Sequence, residues 1–374
     1  MKIVLIGPTY PFRGGISHYT TLLCQALRER HEVKFISFSR QYPAFLFPGD
    51  TDRDPSAEPI RVAPVDYLID SLNPCTWFKA ARAIVRYEPA MVVLPWWVAF
   101  WAPQFFIIVT LIKRRIGAEI VFICHNAEEH ESNFLKKSIT RVVLSWGDRL
   151  ITHSSADTGK LKNLLGQDAD IITAFHPTYA DLSRQRPGKD EARAILGISG
   201  TTLLFFGFVR AYKGLDVLLE ALPMVLKKRR VTLVVAGEFW KDKQKYFAKI
   251  EENNLGSAVK VVDRYIPNEE IGSYFAATDL VVQPYRSASG SGITQLAYGF
   301  GKPVIATRVG SLGDVIHDGK NGRLVPPGDG AALGQAILDS LHEEVLPKMT
   351  AAAEQTGQLF SWTRLVDILL AGSK

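Results

Sequence analysis

Short apolar runs alternate along the chain with longer stretches in which apolar residues recur every three to four positions. The runs at 3–6, 33–38, 91–94, 120–123 and 150–152 have too few polar positions for half-exposed strands, and read as parallel strands buried on both faces. A second series, at 203–206, 232–236, 259–262, 280–283 and 304–307, opens after the polar, Pro- and Gly-marked stretch 181–200. Each run leads into a helical or looped crossing, so the expected class is α/β, with two doubly wound, Rossmann-like parallel sheets. The boundaries predicted are 1–180 for the first domain, 181–200 for a linker and 201–357 for the second domain. Sheets of this kind bind ligands beyond the carboxyl ends of their strands, and two such halves facing each other would line an interdomain cleft.

A chain of 374 residues is long enough for two cores. Met1 runs directly into KIVLIG with no basic or extended apolar leader, so no signal peptide is expected. Cys24, Cys75 and Cys124 are odd in number, widely spaced and set in apolar contexts, which suits buried thiols in a reducing, cytoplasmic compartment. The net charge is +6, with clusters at Lys113-Arg114-Arg115 and Lys227-Lys228-Arg229-Arg230. Such clusters are either solvated helix ends or an attraction to an anionic surface. No recognition-helix pattern or basic run interleaved with aromatics points to nucleic acid. The apolar run 91–101 is too short to cross a bilayer and is interrupted by Pro95.

Chemistry is therefore sought at strand ends. After the first strand, Gly14-Gly15 precedes an apolar-periodic helix, where free amides can meet a phosphate or simply make a tight turn. After the strand at 203–206, Arg210 and Lys213 fall in one loop, a fork-shaped and a point-charge cation able to hold a pyrophosphate together, with Gly214 allowing a close turn. After the strand at 280–283 comes SASGSG, a glycine loop with no lysine and no carboxylate. The amides of Gly290, Ser291, Gly292 and Ile293, with the hydroxyls of Ser289, Ser291 and Thr294, are expected to cradle the same pyrophosphate.

In order along the chain, GGISHYTTLL, FICHNAEEHE, GFVRAYKGLDVLLEAL, YFAATDLVVQPY, GFGKPVIATRVGSLGDVIHDGKNGRLVPPGD and FSW resemble the family 4 glycosyltransferases, retaining enzymes of the GT-B fold. The likeness runs over nearly the whole chain. It implies transfer of a sugar from a nucleotide donor, UDP- or GDP-linked, with no other cofactor and no metal ion, and a last helix at about 358–374 packing back on the first domain. His125 and His130 do not form an H-E-x-x-H pair, in keeping with that expectation. The resemblance assigns Gly14-Gly15 to the diphosphate and reacting sugar, His125 to the donor sugar and Lys213 to the pyrophosphate. The family's arginine five residues before the lysine is Phe208 here, and Arg210 in the same loop is read as its substitute. Two family glutamates, for donor-sugar hydroxyls and ribose, fall at Ala288 and Leu296, which leaves Thr294 or Gln295 as the nearest polar candidates for the ribose. In the mechanism usually proposed for the family, a donor phosphate oxygen accepts the acceptor's proton, so no side-chain base is obligatory. His125, Arg210 and Lys213 are the expected catalytic residues, and Glu128, Glu129 and Glu131 stand close enough in sequence to His125 to assist.

The acceptor side carries the chain's own character. Trp96, Trp97, Phe100 and Trp101 follow a strand end in the half that faces the acceptor in this family. A buried core accounts for one or two of them; four suggest a groove for a sugar or apolar acceptor, or a rim touching a bilayer. The proline-rich segment 40–54 is expected as a loop over the same region. The leading reading is a transferase building a cell-surface glycan or glycolipid on a glycan or lipid-linked acceptor, at the inner face of an anionic membrane. A sugar-nucleotide 2-epimerase and a GT-B module that binds without turnover are the alternatives.

Overall fold

The computed structural model describes residues 1–43, 51–127, 134–183, 185–240, 242–288 and 290–371. The chain divides into two compact units: Met1–Pro55, Pro59–His176 and Trp362–Lys374 form the first, and Ser56–Glu58 with Pro177–Ser361 the second.

The first unit holds a seven-stranded sheet of β1 (Lys2–Ile6), β2 (Glu32–Arg40), β3 (Asp66–Asp70), β4 (Met91–Trp96), β5 (Glu119–Cys124), β6 (Arg149–Thr152) and β7 (Ile171–Thr173). Their order is β3-β2-β1-β4-β5-β6-β7, all parallel, so the winding reverses between β1 and β4. Its helices are α1 (Gly15–Arg28), α2 (Pro74–Tyr87), α3 (Ala102–Lys113), α4 (Phe134–Leu144) and α5 (Ser155–Leu165). Side-chain caps set two of the starts: Asn73 accepts from the Cys75 amide before α2, and Ser154 from the Asp157 amide before α5. Pro95 is tolerated inside β4 because pairing with β1 ends at Val93, so no ladder partner on that side lacks a donor.

The second unit is a six-stranded parallel sheet of β8 (Thr201–Phe206), β9 (Val231–Ala236), β10 (Val259–Val262), β11 (Leu280–Gln283), β12 (Val304–Thr307) and β13 (Gly322–Val325). Its order, β10-β9-β8-β11-β12-β13, reverses between β8 and β11. The helices are α6 (Lys189–Leu196), α7 (Leu215–Leu226), α8 (Lys243–Glu252), α9 (Asn268–Ala277), α10 (Gly292–Gly299), α11 (Leu312–Val315), α12 (Gly330–Ser340) and α13 (Leu346–Leu359). The last helix, α14 (Trp362–Leu370), packs on α1 and belongs to the first unit, where the Arg149 guanidinium donates to the carbonyls of Leu369 at 3.1 Å and Ala371 at 2.7 Å.

The expected strands are present, and three more, β3, β7 and β13, complete the sheets at their edges. The stretch 181–200 is more than a linker. It carries α6, which lies against α9, and Lys189 and Arg193 both donate to Asp279, at 2.5 and 2.7 Å. Of the three cysteines, all free, Cys75 is exposed rather than buried, because it sits in the first turn of α2.

Candidate functional site

In the second unit the loops after β8, β9, β11 and β12 gather around the strand-order reversal, where open α/β sheets bind ligands. Gly207, at the end of β8, has φ +88°, and a Cβ placed on it would lie 3.1 Å from Lys213 Nζ and 3.5 Å from Ile293 Cδ1. The lysine head and Ile293 in the first turn of α10 therefore both lie beside Gly207. Gly214 (φ +67°) is needed on two counts, since a Cβ there would also fall 2.0 Å from the Pro284 carbonyl oxygen. The β8 and β11 loops are clamped further on: the Arg286 amide donates to the Tyr212 carbonyl at 2.6 Å, and its guanidinium to Asp216 at 2.6 Å.

Lys213 is buried, and burial, helped by the like charge of Arg210, pushes its ammonium down to about 8. Among the described residues no carboxylate acts on either cation: burial lowers Arg210, and only Tyr212 opposes that. Two neighbouring cations with no counter-ion among the described residues suit an anion. The glycine loop is held from beneath. Thr294 donates its hydroxyl to Gln283 Oε1 at 2.7 Å, Gln283 Nε2 donates to Ser291 Oγ at 3.3 Å, and Tyr285 OH lies 3.4 Å from the same oxygen. This corrects part of the expected cradle. Thr294 is buried with its hydroxyl turned inward to Gln283, so it does not reach out to a ribose, whereas Gln295 is buried with its Oε1 unpartnered among the described residues. Gly290 and Gly292 are exposed; Ser289 lies outside the described residues. Ser311, missed in the sequence, joins the loop from the end of β12: a Cβ on Gly290 would stand 3.0 Å from its Oγ.

In the first unit, Gly14 caps α1 with φ +112°, and a Cβ on Gly14 or Gly15 would meet nothing within 4 Å, so this helix start is open. His125 follows β5, its amide donating to the Trp96 carbonyl at 2.8 Å. Sequence reading found this histidine alone, but the fold gathers three. His153 follows β6 and His176 lies beyond β7, with ring centroids 5.5 and 6.2 Å from His125 and 4.8 Å from each other. Tyr19 of α1 stands edge-on to His125 at 4.4 Å, and its hydroxyl is 3.0 Å from His153 Nε2. Burial first, and the neighbouring His176 second, push His125 down to about 3; His153 is lowered for the same reasons. The His125 Nε2 is buried with no hydrogen-bond partner. A neutral imidazole with an unused nitrogen suits a sugar hydroxyl better than a phosphate. His153 stood at a strand end the sequence located; His176 was hidden because β7 was not foreseen.

The tryptophan segment is corrected. Trp96 and Trp101 are 2% and 0% exposed, so neither presents a face to an acceptor or a bilayer. Trp101 stacks on Phe105 and packs against Phe38, while the Trp97 and Trp101 indoles both reach Tyr42 OH, at 2.8 and 3.3 Å. Trp97 and Phe100 are half-buried against the same core. The adjoining pocket, lined by Trp96, Trp97, Asn126 and Thr140, holds about 20 Å³, room for one water. Glu128, Glu129 and Glu131 lie outside the described residues, as do 44–50 of the expected loop. Among the described residues no group of three His, Cys, Asp or Glu is arranged to hold a metal ion. The sequence does contain two Asp-x-Asp tripeptides, Asp52–Asp54 and Asp168–Asp170; Asp54 lies 3.9 Å from His18 Nε2, and Asp170 3.8 Å from Arg149 Nε.

Residues 13–178 match the profile described as Glycosyltransferase Family 4, and residues 200–343 that of Glycosyl transferases group 1. The chain belongs to glycosyltransferase family 4. It is 31% identical over 242 residues to D-inositol 3-phosphate glycosyltransferase 1 of Catenulispora acidiphila, an alignment covering 61% of this chain and 57% of that relative. The chain thus spans little more than half the length of the curated relatives it matches, 57% and 56% for two of them. Among solved structures, Anabaena HepE in complex with UDP superposes with a TM-score of 0.74 at 19% identity, covering 99% of this chain and 100% of that one. Sucrose-phosphate synthase of Thermosynechococcus elongatus gives 0.70 at 19%, covering 99% of each. These likenesses show the fold: this family member has the two Rossmann-like domains of GT-B.

Proposed function

We propose that this family member transfers a glycosyl group, with retention, from a UDP- or GDP-linked sugar to a glycan or lipid-linked acceptor. The observation that carries the reading is the pair of neighbouring cations, Arg210 and Lys213, with no carboxylate acting on them among the described residues and with the Lys213 head beside Gly207, which also adjoins Ile293 in the first turn of α10. That arrangement matches the double negative charge left on a nucleoside diphosphate when the sugar departs. The acceptor oxygen bonds to the anomeric carbon as the carbon–phosphate oxygen bond breaks, and the acceptor's proton passes to a donor phosphate oxygen. In the second unit Lys213 and Arg210 stabilise the departing diphosphate and the amides of Gly290 and Gly292 add neutral donors; in the first unit the Gly14-Gly15 turn and His125 Nε2 are the groups that suit a phosphate and a sugar hydroxyl. HepE, solved with UDP and with UDP-glucose, supports a nucleotide-sugar donor.

The test is incubation with UDP-, GDP-, ADP- and TDP-sugars and candidate acceptors, in excess chelator. Released nucleoside diphosphate and an anomer matching the donor's support the reading; donor interconverted without acceptor indicates a 2-epimerase, and binding without release a non-catalytic module. Full activity in chelator is expected, and a collapse restored by magnesium or manganese overturns metal-free transfer. A cell-surface product made at the inner face of an anionic membrane is the finer reading. Its support is now α4 rather than the tryptophans. This helix has no acidic residue and exposes Phe134 (87%), Leu135, Ile139 and Val142 beside Arg141. Flotation with anionic vesicles should weaken when Phe134 and Val142 become serine; unchanged flotation discards the membrane contact.

A further inference from the structure

Arg210 differs from Lys213 in how it is held. Among the described residues its Nε is buried with no hydrogen-bond partner, and no carboxylate fixes its orientation. What it touches is aromatic. The guanidinium carbon lies 3.6 Å from the ring centroid of Trp240 and 5.8 Å from that of Phe208. The contact is imposed by the backbone. Past the ends of β8 and β9 the two segments keep pairing: the Gly207 amide donates to Ala236 at 2.9 Å, that of Val209 to Glu238 at 2.9 Å, and that of Trp240 back to Val209 at 3.3 Å. A parallel bridge joins Val209 and Phe239 within this extension. Gly237 permits the close approach, since a Cβ there would fall 2.2 Å from the Gly207 carbonyl oxygen. The extension sets Trp240 beside Arg210 while leaving the indole 41% exposed.

We propose that Trp240 is the positioning residue for Arg210, holding the planar guanidinium face-on so that its N–H groups stay aimed at a diphosphate. An arginine stacked on an indole loses less freedom when an anion arrives than a solvated one, and the stack leaves its in-plane donors unoccupied. Lysine at 210 cannot replace it, because an ammonium has no plane to stack. The proposal rests on the donor reading above and adds to it a residue from a different strand end.

The experiment is calorimetry with UDP, and with GDP as a second probe, on the full chain and its variants. Trp240→Ala is expected to weaken binding roughly 5- to 30-fold. Trp240→Tyr, which keeps a stacking face, should recover most of the loss. In an Arg210→Ala background, Trp240→Ala should change affinity by less than about twofold, because a positioning residue has nothing left to position. Unchanged affinity in Trp240→Ala overturns the proposal, as does full additivity with Arg210→Ala, which makes Trp240 a direct ligand contact. Lys213→Ala separates the two levels. If it weakens binding while Trp240→Ala does not, the positioning role alone fails; if neither changes binding, or wild type binds neither probe, the diphosphate site and the positioning role fall together. Thermal unfolding of each variant confirms that the exposed indole was removed without loss of fold.

Discussion

At the carboxyl end of the first sheet, β5, β6 and the segment after β7 deliver three histidines, of which burial lowers His125 and His153, whereas at the same end of the second sheet the β8 loop delivers Arg210 and Lys213 with no carboxylate among the described residues to oppose them. The sheets share parallel pairing, continuous apolar strands and a reversal beside the first strand of each. What differs is the residue type placed one to seven positions past a strand end. A neutral imidazole offers directional hydrogen bonds and a cation pair offers charge, so one scaffold can serve sugar hydroxyls in one unit and a diphosphate in the other. Tryptophan shows the same division. Trp96 and Trp101 are core in the first unit, while Trp240 in the second stands exposed under a guanidinium.

The largest effect should come from treating the two kinds of tryptophan alike. Trp101→Ser removes a side chain with 0% exposure and should cost about 3 to 5 kcal/mol of stability through the cavity left behind. Trp97→Ser, at a half-buried position, should cost clearly less. Thermal and denaturant unfolding rank the pair, and equal small losses would remove the distinction drawn here.

Lys213→Ala and Arg210→Ala should each weaken nucleoside diphosphate binding by about 1.5 to 3 kcal/mol, roughly ten- to a hundredfold, with unfolding of the first unit unaffected. Calorimetry on folded variants decides it; intact affinity in both would end the anion-site assignment.

Acidity and alkalinity should act on different units. His125 titrates near 3 in the fold against an ordinary 6.5, so the unfolded chain takes up the proton first. Its contribution to stability is therefore complete above about 6.5 and is lost as pH falls toward 3, at no more than about 1.4 kcal/mol per pH unit. His125→Asn should make that acid limb shallower, leaving the part due to His153. Lys213 titrates near 8 when no anion is bound, and a diphosphate raises it, so affinity is full below 8 and falls above it, at most about tenfold per pH unit. Calorimetry from pH 7 to 9.5 reads the second limb, and Lys213→Arg should abolish it. A flat profile in the wild type would mean that Lys213 does not meet the ligand.

Smallest of all should be Phe208→Arg. If Arg210 on its indole supplies the second cation, a further arginine in that loop changes diphosphate affinity by less than about threefold. A gain of tenfold or more would show that position 208 remains the better place for it.

Most of the fold was legible because buried parallel strands need continuous apolar runs, and such runs stand out in the sequence whatever surrounds them. The strands that were not legible are edges. Asp66–Asp70 carries polar ends, Ile171–Thr173 has three residues and Gly322–Val325 opens on glycine, so each depends on one neighbour for its pairing and carries little pattern of its own. The residues of the anion site were legible for a related reason. Arg210, Lys213, Gly214 and the glycine loop stand in strand-to-helix turns, which are dictated locally and, at Gly214, by a positive φ. Tertiary structure alone decided the direction in which side chains face. Thr294 turns its hydroxyl inward to Gln283, Trp101 sinks into the core, Tyr19 is brought from α1 to His125, and Trp240 is carried from β9 to Arg210. Each of these contacts joins residues 11 or more positions apart, or a side chain to a core assembled from several strands, and the register that makes them exists only once the sheets have formed.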